Sequence, residues 1–117
     1  MRRLLRSWRW RVAVVGHSME PTLRAGDWLL VDPAAFVQSS PQVGALVVVA
    51  DPRDPSRWLI KRVTHVDPEG HLALAGDHPA HRNRPDFVQP DQILVPPSAV
   101  IGRPWFRYRP LGRFGRI

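Results

Sequence analysis

The residues best suited to chemistry in this chain are Ser18 and Lys61. A serine becomes a nucleophile only beside a base. Ser18 lies in the turn-rich stretch Gly16-His17-Ser18-Met19-Glu20-Pro21-Thr22-Leu23, directly after the apolar segment 12–15. Glycine there lets the backbone turn sharply, so that the hydroxyl and neighbouring N–H groups can face a substrate carbonyl, the N–H groups acting as an oxyanion hole. The chain has sixteen arginines and one lysine, Lys61, set after Trp58-Leu59-Ile60 and before Arg62-Val63. Arginine keeps its proton in any protein setting, whereas a lysine among apolar groups can release it. A lysine that works as a base near neutral pH must come down from about 10.4 to about 7, at a cost of roughly 4 to 5 kcal/mol. Trp58, Ile60 and Val63 are the neighbours that could supply the desolvation. More than forty residues separate the two groups, so only tertiary pairing can bring them together. Composition alone favours a blander account, drift toward arginine with Lys61 left over on a strand.

The elements that must position this pair read as short strands. Thirteen prolines and eight glycines along 117 residues disfavour long helices, and 44% hydrophobic content suffices for one core. The expectation is a mostly β fold, a single compact domain with short strands and little helix. Strands are expected at 12–15, 28–31, 45–50, 58–66, 71–75, 93–95, 99–102 and 105–108. The run 45–50 is apolar without alternation, as in a strand buried on both faces. The segment 51–56 should turn it into the next strand as a hairpin. Residues 76–92 form a polar loop without period, long enough to suggest function or disorder. The chain divides into a basic, Arg- and Trp-rich segment at 1–11, a domain at 12–110 and a basic tail at 111–117, with no internal repeat.

The net charge of +7 and a pI near 11.5 suit anionic partners. There is no cysteine, so disulfides and thiolate metal sites are excluded. No apolar run approaches the ~18 to 20 residues of a membrane span. Charges interrupt the apolar core that a secretory signal at the N-terminus would need. The alternation of Arg with Leu and Trp at 2–11 can instead lie on an anionic membrane surface, or be a solvated basic lead into the first strand. A peripheral membrane or cytoplasmic location follows. His78 and His81 are close in sequence, but no third spaced ligand accompanies them, so no metal and no cofactor is expected. His17, adjacent to Ser18 on an extended chain, should point away from it and face solvent or the edge of a substrate.

Taken in order, Ser18-Met19-Glu20-Pro21-Thr22-Leu23, Gly26-Asp27-Trp28-Leu29-Leu30-Val31, Lys61-Arg62-Val63 and Gly76-Asp77 resemble the motif series of the type I signal peptidase family. The resemblance runs from about Val12 to Pro110. Its closing strand is similar to Val100-Ile101-Gly102-Arg103 through Trp105-Phe106-Arg107-Tyr108-Arg109-Pro110. The short chain, with Asp51-Pro52-Arg53-Asp54-Pro55 ahead of Lys61, looks most like the small nickel superoxide dismutase maturation proteases of that family. The resemblance implies a Ser/Lys dyad that hydrolyses a peptide bond after small residues, with Ser18 as nucleophile and Lys61 as general base. It implies that the Ser18 N–H donates to the oxyanion and that Met19 and Pro21 shape the loop and groove. For Met19, plain core packing competes with substrate contact. Gly16 stands where some members carry a hydroxyl that adds a second oxyanion donor. The family's closing motif usually reads G-D-N and then S-x-D-S-R, whereas this chain has Gly76-Asp77-His78 and later Arg84-Pro85-Asp86. The Lys-orienting serine is missing from that pattern, and His78 or a backbone carbonyl is the substitute to look for. Asp77 and Asp86 should hold the loop through arginines such as Arg62 or Arg84.

Two classes of function therefore compete. One is a serine endopeptidase acting on a precursor protein or peptide. The other is a non-catalytic basic module that uses Trp8-Arg9-Trp10-Arg11 and Trp105-Phe106-Arg107-Tyr108 to bind nucleic acid or anionic membrane. Such a module has no need of Ser18 and Lys61 in these motifs, which disfavours nucleic acid as the partner.

Overall fold

The computed structural model describes residues 10–78 and 92–117. Within them the chain forms β1 (Arg11–Ala13), β2 (Trp28–Asp32), β3 (Leu46–Asp51), β4 (Asp54–Val66), β5 (Leu72–Ala75), β6 (Ile93–Val95), β7 (Val100–Arg109) and β8 (Gly115–Arg116). The helical elements among the described residues are two 3-10 turns, Pro97–Ala99 and Leu111–Arg113. The mostly β class expected from composition is the class observed. Every pairing is antiparallel, in the spatial order β1-β2-β7-β3-β4-β5-β6, with β8 added to β7.

β3 sits at the centre of this arrangement and explains its uniform apolar sequence. Val47 and Val49 point into one cluster with Val63, Leu72, Leu74 and Val95, while Val48 points to the other side against Trp10 and Val31. A strand that buries both faces has no polar face to show. A third cluster, Val14, Met19, Leu23 and Leu29, lies under the loop that carries Ser18. The fold thus places core directly beneath the candidate nucleophile.

Two boundaries differ from the sequence reading. The β3–β4 turn is tighter than 51–56, because Asp51 already lies opposite Asp54. The Asp51 carboxylate, 1% exposed, closes the turn by accepting from the Arg53 N–H (2.9 Å) and its guanidinium (3.2 Å). β4 therefore runs thirteen residues, with Lys61 well inside it. At the other end, the segments 99–102 and 105–108 form one continuous strand, β7. Pro104 is accommodated because the β2–β7 register shifts between Leu30 and Val31, the residue opposite Pro104; an irregular step needs no N–H from proline. This strand joins the two halves of the molecule. It pairs with β2 at 103–109 and with β3 at Val100 and Gly102. Gly102 makes the crossover possible, since a Cβ there would lie 2.5 Å from the Asp32 carbonyl oxygen.

Candidate active site

Gly16, at φ +80, turns the chain out of β1 and into the Ser18 loop. The loop then folds through two successive turns, in which the Glu20 N–H donates to the His17 carbonyl (3.1 Å) and the Leu23 N–H to the Met19 carbonyl (2.9 Å). Met19, 3% exposed, and the fully buried Leu23 anchor these turns in the core. Met19 also lines the adjacent groove, so it packs and borders the site at once. Pro21 is exposed on the loop. The His17 side chain is 72% exposed and meets Glu20 at 2.8 Å, in keeping with an outward imidazole. That contact holds the Glu20 carboxyl below its usual range.

Lys61 arrives from β4, opposite Val47 of β3, and is 7% exposed. Its Nζ donates to Ser18 Oγ at 3.2 Å. The next residue, Arg62, points to the other side of the strand and grips Asp77 with two bonds, Nε to Oδ1 (2.9 Å) and Nη2 to Oδ2 (2.7 Å). Its Nη1 donates to the Gly44 carbonyl at 2.8 Å. Asp77, 7% exposed, also accepts the Thr22 hydroxyl at 2.7 Å. The Asp77 carboxylate in turn holds the Arg62 guanidinium above its ordinary value. Gly76 is buried just before it, and the His78 N–H donates to the Ser18 carbonyl at 2.8 Å. The segment 76–78 therefore touches the Ser18 loop through backbone and side chain. Asp86, like His81 and Arg84, lies outside the described residues.

Beside Ser18 and Lys61 runs a groove of about 330 Å³, walled by residues 12–16 on one side and 57–61 on the other. Both walls are strand edges. β1 ends the order of strands, and β4 pairs with β5 only from Arg62 onward, so among the described residues the 54–60 half of β4 has β3 on one side alone. Trp58 of the β4 wall stacks on Trp10, which precedes β1, with ring centroids 5.5 Å apart. An unpaired edge offers backbone N–H and C=O groups to an extended chain. The arrangement combines a hydroxyl in contact with an amine and a groove bordered by strand edges.

A family model described as signal peptidase, peptidase S26, matches residues 4–78. The chain belongs to the peptidase S26 signal peptidase family. Signal peptidase I of Aquifex aeolicus (strain VF5) is 31% identical over 86 residues, a stretch that makes up 74% of this chain and 30% of that protein. This S26 chain thus spans under a third of the length of the curated relative it matches. The family assignment drawn from the four motifs is borne out. Sequence reasoning gave no role to Thr22 or Asp27, although both stand within quoted motifs. It placed Arg107 only in a binding stretch and Arg113 only in a basic tail, because a one-dimensional reading of sixteen arginines does not reveal their partners.

Proposed function

We propose that this protein is a serine endopeptidase that removes an N-terminal signal or propeptide from a precursor, with Ser18 as nucleophile and Lys61 as general base. The observation that carries the reading is the 3.2 Å contact between Lys61 Nζ and Ser18 Oγ, with Lys61 7% exposed. Proton transfer needs donor and acceptor within about 2.6 to 3.2 Å. In the acylation step the neutral Lys61 amine takes the Ser18 proton as Oγ bonds to the scissile carbonyl carbon. The Ser18 N–H faces the developing oxyanion. The C–N bond then breaks, and the Lys61 ammonium returns the proton to the leaving amine. Water, deprotonated by the same amine, attacks the ester carbonyl carbon, and as the C–Oγ bond breaks the Lys61 ammonium returns the proton to Ser18 Oγ, freeing the carboxyl product and restoring the neutral amine. The precursor binds as an added strand between the edges of β1 and β4, and small side chains next to the scissile bond fit the space beside Met19 and Ile60.

The substrate proposed within this reading is a nickel superoxide dismutase precursor, on the likeness of the 51–55 turn and the short chain to that group of proteases. The test is incubation of the full chain with such a precursor and with an unrelated secretory precursor, read by mass spectrometry. Cleavage at one bond that vanishes in Ser18→Ala supports the peptidase; cleavage that persists in Ser18→Ala removes it. Cleavage of the secretory precursor alone retains the peptidase and removes the substrate.

Peripheral contact with an anionic membrane belongs to the same proposal. No helix among the described residues is long and apolar enough to cross a membrane. Trp28 of β2 and Trp105 of β7 are 43% and 39% exposed, and Phe114, between the 3-10 turn and β8, is 59% exposed; β7 also carries Arg103 and Arg109, and β8 carries Arg116. Aromatic rings at headgroup level with arginines on phosphates favour such a surface. Co-sedimentation with phosphatidylglycerol vesicles should fall severalfold in Trp105→Ala/Phe114→Ala and with added salt; salt-insensitive or absent binding would remove this part.

A further inference from the structure

A buried polar cluster lies at the far end of the Ser18 loop, around Asp27. Asp27 is 1% exposed. Its carboxylate accepts two bonds from Arg113, Nε to Oδ1 (3.2 Å) and Nη2 to Oδ2 (3.1 Å), one from Arg107 Nη1 (2.9 Å) and one from the Arg24 N–H (2.9 Å). Arg107 is held in turn, because its Nε donates to the Arg113 carbonyl at 2.6 Å. Its Nη1 also reaches the Thr22 carbonyl at 3.2 Å. The C-terminal turn is thereby clamped onto the segment 22–27.

Two routes lead from this clamp to the reacting groups. Along the first, the Thr22 carbonyl is held by Arg107 while the Thr22 hydroxyl donates to Asp77. Asp77 sits next to His78, whose N–H donates to the Ser18 carbonyl. Along the second, the backbone around Asp27 pairs with the end of β1: the Val14 N–H donates to the Asp27 carbonyl (2.8 Å), and the Gly26 N–H to the Val14 carbonyl (2.9 Å). The loop 14–22 that carries Ser18 is therefore fixed at both ends by one cluster. The contact it must maintain, 3.2 Å, is already at the long limit for proton transfer. A displacement of about 1 Å can cost on the order of 100-fold in rate.

We propose that Arg113 and Arg107 are positioning residues for the Ser18–Lys61 pair, acting through Asp27 and Thr22, so that the C-terminal turn sets the geometry of the site. This rests on the peptidase reading, and its test has a readout that does not. The chain contains a single lysine. A full-length sample labelled with 13C-lysine therefore reports Lys61 as one side-chain signal, whether or not a substrate is known.

The variants are Arg113→Ala, Thr22→Val and Thr22→Ser, compared at a temperature where each is shown to be folded. We expect Arg113→Ala and Thr22→Val to lower kcat about tenfold with KM within twofold. Both should move the acid limb of the pH–rate profile and displace the Lys61 signal. Thr22→Ser, which keeps the hydroxyl, should restore all three. A purely structural role would lower the unfolding midpoint and leave kcat, the pH profile and the Lys61 signal of the folded protein in place, and that result would overturn the proposal. Equal impairment in Thr22→Ser and Thr22→Val would also overturn it. If the wild type cleaves no precursor, the peptidase reading fails by itself, while a Lys61 signal that still answers to Arg113 and Thr22 upholds the positioning.

Discussion

Replacing Lys61 with arginine should abolish cleavage, a loss of about a thousandfold or more in kcat, although the charge of the chain is unchanged. The two side chains differ in the property the mechanism uses. A guanidinium does not release its proton in a protein, so it can donate to Ser18 Oγ but never accept from it. Lys61 touches Ser18 from within β4 at 7% exposure, and the neighbouring arginine, Arg62, is committed to Asp77 and Gly44. No second amine side chain exists in the sequence to take over. Lys61→Met, close in length and neutral, should be as inactive. Circular dichroism and urea unfolding check that both variants fold, since the bulkier guanidinium can cost about 1 to 3 kcal/mol of overpacking. Substantial turnover by folded Lys61→Arg would remove the amine from the mechanism and leave Ser18 without its proposed base.

The strands were legible in the sequence wherever burial is uniform along them. The run 45–50 announced a strand buried on both sides, and β3 is one. The candidate site is legible through its motifs, which contain both of its contacting pairs: Lys61 donates to Ser18, and Arg62 donates twice to Asp77. What stayed hidden depends on pairings between distant residues. The expected strands 99–102 and 105–108 leave out Pro104, which offers no ladder N–H, but the register shift at Leu30–Val31 supplies a place where that N–H is not needed. The turn at 52–53 read as longer because proline and serine continue to Ser56, whereas the Asp51–Arg53 contact closes it early. Arg113 read as part of a basic tail. Its value lies in the third dimension, where Asp27 is buried opposite it.

Asp27→Asn should destabilise the protein by about 3 kcal/mol at neutral pH, lowering the melting temperature by on the order of 10 °C. Removing one member of a buried ion cluster costs more than the cluster contributes, because its partners remain desolvated and unpaired. Here the Arg107 side chain is 13% exposed and that of Arg113 is 26% exposed, so Arg113 can recover some hydration and the loss falls at the low end of that range. The pH dependence follows from the same contacts. Burial pushes the Asp27 carboxyl up, but Arg113, the Arg24 N–H and Arg107 outweigh it and hold the group below the ordinary carboxylate value. A group whose folded value is depressed contributes its full stability above the unfolded value, about 3.9 for an aspartate, and loses it as pH falls through the folded one. The wild type should therefore shed stability below about pH 4, while Asp27→Asn, with no carboxyl to protonate there, has a shallower acid limb. Urea unfolding at pH 7 and pH 3 reads both effects, and the gap between the two proteins should narrow at the lower pH. A gap below about 1 kcal/mol at pH 7, or one that widens in acid, would mean that Arg107 and Arg113 hold the C-terminal turn without help from the charge of Asp27.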